Sequence, residues 1–195
     1  MQTFSTLTGN TCPIFPTIRI VVGSWGSYNS CNERALGSTW LDLSDYTDWD
    51  EIADELKKQG FKLDSIDEEL FIQDIEGFPS DCKNLDYVHP QDFFELLQQS
   101  GVLTDNDKYK KMQALIEVCS FEAWEELVKK HEDNWDDDIY LYPNYTWEDF
   151  GIERFEEAGY ELLDNLECYF DYKAFGESFE HSGVLEYSGG LIEYR

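Results

Sequence analysis

The charge balance of this 195-residue chain constrains its fold more than any other feature. The chain has 42 acidic and 14 basic residues, so its formal net charge is −28. Chains with this much charge stay disordered when they have too few apolar residues to bury. This chain, however, is 42% hydrophobic and 16% aromatic. We therefore expect a folded protein that keeps its charge despite the self-repulsion that opposes compaction.

The density of negative charge is comparable to that of nucleic acid. Duplex DNA carries one negative charge per roughly 1.7 Å of its axis, so the net charge of this chain corresponds to about 48 Å of duplex. The sequence pI near 4.1 argues against binding of the chain to DNA, RNA or an anionic membrane. We expect the partner to present a basic surface, and we hypothesise that the chain imitates DNA.

Composition also narrows the class of protein. No run approaches 18 apolar residues, so the sequence predicts no transmembrane helix. Residues 1–16 carry no charged side chain and lack the basic start of a signal peptide, so we expect a flexible N-terminal arm. The five cysteines are irregularly spaced and indicate neither a disulfide framework nor a zinc site. This pattern favours a reducing cytoplasm, and we expect no cofactor and no bound metal.

Hydrophobic periodicity predicts strands towards both ends of the chain with helices between them, which is an α+β arrangement. The predicted strands cover residues 18–24, 37–43, 70–75 and 139–142, and a C-terminal hairpin turns at 188–190. The predicted helices cover residues 48–59, 90–101, 105–118, 121–131, 147–158, 165–171 and 172–180. The expected N-caps include Thr47, Ser120 and Thr146. The expected buried stripe of the 147–158 helix is Trp147, Gly151, Phe155 and Ala158.

The acidity is densest in the C-terminal half of the chain. Residues 132–171 contain fourteen acids and a single base, Arg154. On one predicted helix in this stretch, Asp149, Glu153 and Glu157 form like-charged pairs four residues apart, and each pair costs a helix about 0.2–0.5 kcal/mol. One acidic face is usually ordinary solvated surface. Several such faces with so few compensating bases favour a binding function.

Three stretches of the chain resemble the ArdA antirestriction proteins of plasmids and conjugative transposons. The first contains the strand IRIVV, the turn GSYN and the strand GSTWLDL within residues 18–43. The second is ELFIQDIE at residues 69–76, with Gln73 where many members have His, and the third is the antirestriction-like motif YFDYKAFG at residues 169–176. One departure follows this motif, because Glu177-Ser178 stands where many members have Arg-Asp.

The resemblance implies a non-catalytic inhibitor whose acids imitate the phosphates of bent B-form DNA. The target would be a type I restriction–modification enzyme, bound along the DNA groove of its specificity and methyltransferase subunits. The implied shape is a curved, elongated homodimer with three small domains in each chain. These would be an α/β domain at residues 17–88, a helical domain at 89–137 and an α+β domain with the dimer contact at 138–195.

The candidate site residues form two sets. The acids expected to replace phosphates are Asp50, Glu51, Asp54, Glu55, Asp67, Glu68, Asp74, Glu76, Asp136, Asp137, Asp138, Glu148, Asp149, Glu153, Glu156, Glu157, Glu161, Asp164 and Asp171. The residues expected in the motif and dimer region are Leu163, Leu166, Tyr169, Phe170, Tyr172 and Phe175. Most aromatic residues are expected in the core, and the candidates for partly exposed contact residues are Tyr28, Tyr142, Tyr145 and Tyr169. We expect no nucleic acid and no membrane as partners, and no catalytic residue.

Two other classes of function are compatible with the composition. A carboxylate-based hydrolase such as a glycosidase needs only two carboxyl groups, about 5–9.5 Å apart in a cleft. A generic acidic interaction protein, or a surface adapted to high salt, needs no particular arrangement of its acids. The hydrolase would lose its activity through one or two substitutions of Glu by Gln, whereas a DNA mimic would fail gradually as such substitutions accumulate.

Overall fold

In a computed structural model, the protein has two small antiparallel sheets near the chain ends with α-helices between them. The structure describes residues 17–79, 85, 88–162 and 166–194. The strands are β1 (Arg19–Ser24), β2 (Leu41–Asp42), β3 (Leu70–Glu76), β4 (Ile139–Pro143), β5 (Val184–Tyr187) and β6 (Gly190–Tyr194). The α-helices are α1 (Trp25–Ser30), α2 (Trp49–Lys58), α3 (Pro90–Ser100), α4 (Asn106–Val118), α5 (Phe121–His131), α6 (Trp147–Glu157) and α7 (Tyr172–Glu177). The predicted α+β class is confirmed, whereas the predicted arm at residues 1–16 lies outside the described residues.

Each sheet has three strands, and its central strand is antiparallel to both neighbours. The N-terminal sheet has the order β2-β1-β3, and its β1–β3 register shifts between Val21 and Val22. The C-terminal sheet has the order β4-β6-β5, with β5 and β6 joined by the predicted hairpin. Side chains of β1 alternate between two faces, as strand geometry requires. Ile20 and Val22 are fully buried in the core as a result.

A continuous cluster of buried side chains connects the N-terminal sheet, the central helices and the C-terminal sheet. Fully buried members of this cluster include Ile20, Leu56, Phe93, Trp124 and Ile192, which lie on five different elements. A smaller cluster of Phe150, Val184 and Leu191 packs α6 against the C-terminal sheet. The large cluster contains residues from all three of the segments that the resemblance assigns to domains. The proposed domain boundaries remain a prediction.

Helices α3, α4 and α5 agree with the prediction to within about one residue at each end, which is the ordinary uncertainty of helix boundaries. Helix α2 also has the predicted apolar face, with Ile52, Ala53 and Leu56 buried. Its N-cap, however, is Asp48 rather than Thr47. The Asp48 carboxylate accepts a hydrogen bond from the Glu51 N–H at 3.0 Å. Thr47 instead donates its own N–H to the Glu51 carboxylate.

The predictions were wrong in two places within residues 18–43. The predicted strand at residues 37–43 is reduced to β2, and a 3-10 turn follows at Leu43–Asp45 because the Asp42 side chain accepts a hydrogen bond from the Ser44 N–H. The predicted turn at residues 26–29 is the short helix α1. Its N-cap is Ser24, whose hydroxyl accepts a hydrogen bond from the Ser27 N–H.

Two helices near the C-terminus are shorter than predicted. The predicted helix at 165–171 contains a single 3-10 turn, Glu167–Tyr169. The predicted helix at 172–180 ends at Glu177 as α7 and continues as the 3-10 segment Ser178–Ser182.

Helices α6 and α7 cross so closely that their backbones are in contact. A Cβ atom on Gly151 would overlap the Tyr172 carbonyl oxygen, and one on Gly176 would overlap the Trp147 carbonyl oxygen. The fully buried Phe150 is part of the α6 inner face, although the predicted stripe omitted it. Ala158, which the prediction placed in that stripe, is exposed because α6 ends at Glu157.

We expect Gly176→Ala to lower the free energy of unfolding by about 1–3 kcal/mol, because the added methyl group must push α7 away from the α6 backbone. Ala174→Ser adds one atom to an exposed position of the same helix and should change stability by no more than about 0.5 kcal/mol. Urea denaturation of the two variants measures the difference. Equal stability of the variants would contradict the close packing of these helices.

Candidate functional site

The exposed side of α6 carries a row of carboxylates next to a shallow groove. We define the α6 face as Glu148, Asp149, Ile152, Glu153 and Glu156, which helical periodicity places on one side of the helix. The groove beside it has a volume of about 600 Å³. Pro143, Asn144 and Tyr145 complete its lining. The opposite side of α6 packs into the protein through Phe150 and Phe155, so the α6 face stands on a fixed backbone.

The N-terminal end of α6 is stabilised by a capping box. The Thr146 hydroxyl accepts a hydrogen bond from the Asp149 N–H at 3.2 Å, and the Thr146 N–H donates to the Asp149 carboxylate at 2.9 Å. Hydrogen bonds from the Thr146 side chain and backbone lower the pKa of Asp149. One turn further on, a hydrogen bond with Glu153 raises the pKa of Tyr145. The Thr146 contacts therefore stabilise the charged form of the Asp149 carboxylate.

Arg154, the single base within residues 132–171, is turned inward. Its guanidinium donates to Glu193 at 3.1 Å and to the Tyr142 hydroxyl, and it lies 4.8 Å from the centre of the Phe150 ring. Burial, together with a hydrogen bond to Glu193, raises the pKa of Tyr142 to about 12. Arg154 also pairs with Glu157 at the end of α6. This base therefore compensates Glu193 and Glu157 and leaves the α6 face uncompensated.

The acidic side of α2 differs because lysines of the same helix partly neutralise it. Lys57 pairs with Asp54 at 2.9 Å, and Lys58 pairs with Glu55 at 3.3 Å. Glu51, also a candidate, accepts hydrogen bonds from the N–H and hydroxyl of Thr47. The two lysines thus relieve the repulsion between the acids of this helix. Exposed pairs of this kind contribute little to stability, but they reduce the charge that α2 presents to a partner.

Asp67 is a structural residue, which corrects its assignment as a phosphate-mimicking acid. It is only 1% exposed and accepts hydrogen bonds from the Ser27 hydroxyl and from the Lys62 N–H at 2.8 Å. Burial alone would raise the pKa of Asp67, but these hydrogen bonds and one from Ser24 outweigh it and lower the pKa. A buried ionised carboxylate needs such partners. Asp67 therefore joins α1 to the loop that precedes β3.

Asp136 requires the same correction. It is 9% exposed, and it lies 2.8 Å from the Lys111 ammonium and 3.8 Å from that of Lys108. Lys108 also pairs with Asp133, so the two lysines of α4 hold the loop before β4 against the helix. The next two acids of the run are exposed at the surface.

The remaining candidate acids divide by what they contact. Three are exposed but engaged: Asp74 accepts from the Ile75 N–H, Glu76 pairs with Arg19, and Asp171 caps α7. The remaining exposed candidates are those whose carboxylates contact no hydrogen-bond donor or base among the described residues: Asp50, Glu68, Asp137, Asp138, Glu148, Glu156 and Glu161. Asp164 lies outside the described residues.

The candidate residues of the motif region have two different roles. Phe170, Tyr172 and Phe175 surround Phe155 of α6, with ring centroids 4.8, 5.5 and 6.0 Å from it. They are half-buried, and they pack against α6. Leu166 and Tyr169 are instead exposed, Tyr169 by 82%. Leu163 lies outside the described residues.

The expected contact tyrosines also separate by exposure. Tyr28 and Tyr145 are exposed, whereas Tyr142 is half-buried in the contact with Arg154.

The sequence analysis did not predict the ion pair between Arg154 and Glu193. One feature of the sequence could have indicated this pair. Arg154 is the single base among the fourteen acids of residues 132–171, and a lone base in such a stretch is a candidate partner for an internal acid.

In residues 17–79, 85, 88–162 and 166–194, no cluster of three or more His, Cys, Asp or Glu side chains is suited to hold a metal ion. No helix in this part of the protein has the length and apolarity to cross a membrane. The thiols of Cys31, Cys119 and Cys168 are free and exposed.

Comparison with known families gives one extensive match. Residues 20–193 match the family model described as "Antirestriction protein (ArdA)". The match covers α2, α6 and the motif at residues 169–176, and it leaves residues 1–19 outside. A search of curated proteins finds no match to the chain.

Asp67→Asn should lower the free energy of unfolding by about 1–3 kcal/mol at neutral pH, because it weakens the hydrogen bonds of a buried carboxylate. The folded state lowers the pKa of Asp67, so the charged form adds stability above the unfolded pKa of about 3.9, and this stability is lost as the pH falls through the folded pKa. The difference between Asp67→Asn and the unmodified chain should therefore shrink below about pH 4. Urea denaturation at neutral and acidic pH measures it.

Asp64→Asn is the matched control, because Asp64 is exposed in the same loop. We expect it to change stability by no more than about 0.5 kcal/mol at either pH. A destabilisation by Asp67→Asn that does not depend on pH would contradict a role for the charged form of Asp67.

Proposed function

Because the chain belongs to the ArdA family of antirestriction proteins, we propose that it inhibits its restriction enzyme by imitating DNA. ArdA antirestriction proteins are non-catalytic inhibitors, so the glycosidase alternative is excluded. In our proposal the target is a type I restriction–modification enzyme, and the chain occupies the DNA-binding groove of its specificity and methyltransferase subunits. The chain would act in the cytoplasm, where it would protect incoming mobile DNA from restriction.

The single observation that carries this proposal is the uncompensated α6 face. Glu148 and Glu156 have no partner among the described residues, and the nearest base in the sequence, Arg154, is committed to internal contacts. The helix backbone is fixed by the capping box and by the contact with α7. Carboxylates on a rigid backbone lose less conformational entropy when they bind, which favours affinity for a basic groove.

The proposed mechanism is direct competition with DNA. The lysine and arginine side chains that bind phosphates in the groove would pair with the carboxylates of this chain instead. Phosphate contacts make affinity fall steeply with salt concentration. Carboxylates that replace phosphates should give the complex a similarly steep dependence, whereas an apolar interface would not.

We propose a homodimer joined through the C-terminal segment. Leu166 and Tyr169 are exposed apolar side chains in the stretch to which the resemblance assigns the dimer contact. Two copies would carry the charge of about 95 Å of duplex DNA. We further propose that residues 17–88, 89–137 and 138–195 are the three domains of each chain in this dimer.

The triple variant Glu148→Gln, Glu153→Gln and Glu156→Gln tests the α6 face. Each phosphate-like contact that is lost should lower the slope of log affinity against log salt by about 0.9. The triple variant should therefore need a higher concentration to inhibit the restriction enzyme, and duplex DNA should displace it more easily. Inhibition assays and binding to purified specificity and methyltransferase subunits, each at several salt concentrations, measure both effects.

The matched control removes the same number of charges from α5. Glu122, Glu125 and Glu126 lie on a helix where Lys129 pairs with Glu125 at 2.8 Å. Replacing these three acids with Gln should leave inhibition close to that of the unmodified chain. Equal loss of inhibition in both triple variants would show that net charge, rather than the α6 face, determines binding. A shallow salt dependence of the unmodified chain would contradict DNA mimicry itself.

The double variant Leu166→Ser and Tyr169→Ser tests the dimer. It should shift the sedimentation coefficient from that of a dimer to that of a monomer, because it removes exposed apolar area from the proposed contact. Tyr140→Ser changes a tyrosine of similar type on β4, which is 49% exposed, and should leave the dimer intact. A double variant that remains a dimer would place the contact elsewhere.

A further inference from the structure

The turn between β5 and β6 is tied to the end of α4 by two hydrogen bonds. Glu117, in the last turn of α4, accepts one from the Ser188 N–H at 2.6 Å and one from the Ser188 hydroxyl at 2.9 Å. Each carboxylate oxygen accepts one of these bonds, so the contact restrains both the distance and the orientation of the turn. The two residues are 71 positions apart in the chain, and their contact joins the central helices to the C-terminal sheet.

The same turn fits closely against the residues that precede α6. The Gly189 carbonyl oxygen accepts a hydrogen bond from the Asn144 N–H at 2.7 Å. A Cβ atom on Gly190 would overlap the Tyr142 carbonyl oxygen, so the backbone of the turn lies directly on the end of β4. Thr146, the N-cap of α6, follows Asn144 by two residues. A continuous series of contacts therefore runs from the end of α4 through the turn to the start of α6.

Open grooves flank the contact between Glu117 and Ser188 on two sides. One groove has a volume of about 570 Å³ and is lined by residues of α4, β4 and the β5–β6 turn. The other has a volume of about 510 Å³ and lies between α4, the start of α6 and β5. Glu117 lines both grooves. The contact is therefore a bridge between two open spaces at the junction of α4 with the C-terminal segment.

Like charges surround this bridge. The second groove is lined by Glu117 and by Glu177, Glu180 and Glu186, which lie in α7, in the 3-10 segment after it and in β5. Carboxylates that share a groove repel each other, and this repulsion acts to separate α4 from the C-terminal segment. The hydrogen bonds from Ser188 act in the opposite direction. They turn one of the repelling acids into a link between the two parts.

We propose that Glu117 is a positioning residue for the α6 face. By holding the β5–β6 turn on α4, it sets the orientation of α6 relative to the central helices, and the continuous core extends this frame to the acids of α2. A basic groove pairs best with carboxylates that are already held at the required spacing, because less ordering is needed on binding. The inference rests on the proposed function, since it assumes that the α6 face contacts the restriction enzyme.

Glu117→Ala and Glu117→Gln separate a positioning role from a direct contact with the target, because both remove the charge. The Gln carbonyl can still accept from the Ser188 N–H and its amide can donate to the Ser188 hydroxyl, whereas Ala can form neither bond. Glu117→Ala should need a several-fold higher concentration to inhibit the restriction enzyme, and Glu117→Gln should inhibit as the unmodified chain does. Equal loss in both variants would overturn the inference, and so would unchanged inhibition by Glu117→Ala.

A distance measurement tests the position of α6 without the restriction enzyme. In a full-length chain with its five native cysteines replaced by Ser, Glu122→Cys and Ala158→Cys give exposed labelling sites on α5 and directly after α6. Double electron–electron resonance between spin labels should show a broader distance distribution with Glu117→Ala than with Glu117→Gln. Excess unlabelled chain suppresses distances between copies, and urea denaturation verifies that both variants are folded.

Ser188→Ala tests the same contact from its other side. It removes the hydroxyl donor and keeps the N–H, so it should change inhibition and the distance distribution in the same direction as Glu117→Ala, but by less. Added to Glu117→Ala, it should have no further effect, because residues that act through one contact are not additive. Additive losses would overturn the inference.

Failure of this inference is distinguishable from failure of the proposed function. An unchanged distance distribution in Glu117→Ala overturns the inference even if the triple variant of the α6 face weakens inhibition, and the proposed function then stands. A broadened distribution, together with an α6 triple variant that inhibits normally, supports Glu117 as the residue that positions α6 and contradicts the proposed function instead.

Discussion

Repulsion among the acids is the constraint on which the rest of this structure depends, because it determines where the few bases can lie. Lys108 and Lys111 hold the loop that contains Asp136 against α4, and Arg154 joins α6 to the buried Glu193 of β6. Each of these bases stabilises a contact between elements that would otherwise repel each other. They pair with the internal acids Asp136 and Glu193 and also with exposed acids beside them, Asp107, Asp133 and Glu157. These contacts therefore stabilise the fold and leave Glu148 and Glu156 of the α6 face without a paired base.

Many acids also stabilise the fold directly, at the ends of helices. Asp48, Asp105, Asp149 and Asp171 lie at or near the N-termini of α2, α4, α6 and α7, where their carboxylates accept hydrogen bonds from free N–H groups. The positive end of the helix dipole favours negative charge at these positions. A sequence rich in acids can thus form stable helices without matching bases. The count of 42 acids overstates the number available to a partner.

The sequence predicts a structural feature when the interactions that form it join residues close together in the chain. Periodicity and local caps define α5, because Ser120 and the apolar face lie within one short stretch. The burial of Asp67 depends on Ser27, forty positions away, and no local pattern distinguishes this acid from its exposed neighbour Glu68. Phe150 was missed in the α6 stripe because its burial depends on contact with the distant β5–β6 hairpin. The acidic character of the α6 face was predictable, whereas the internal position of Arg154 was not.

The contact between α6 and α7 connects the motif to the acidic surface. The motif at residues 169–176 contains one acid, Asp171, which caps α7. Its aromatic residues surround Phe155, and its Gly176 lies against the α6 backbone. The motif therefore contributes shape rather than charge, because it fixes the helix on which the carboxylates stand. A substitution in the motif can displace the α6 face without removing any of its charges, so loss of inhibition after such a change does not identify the altered residue as a contact with the target.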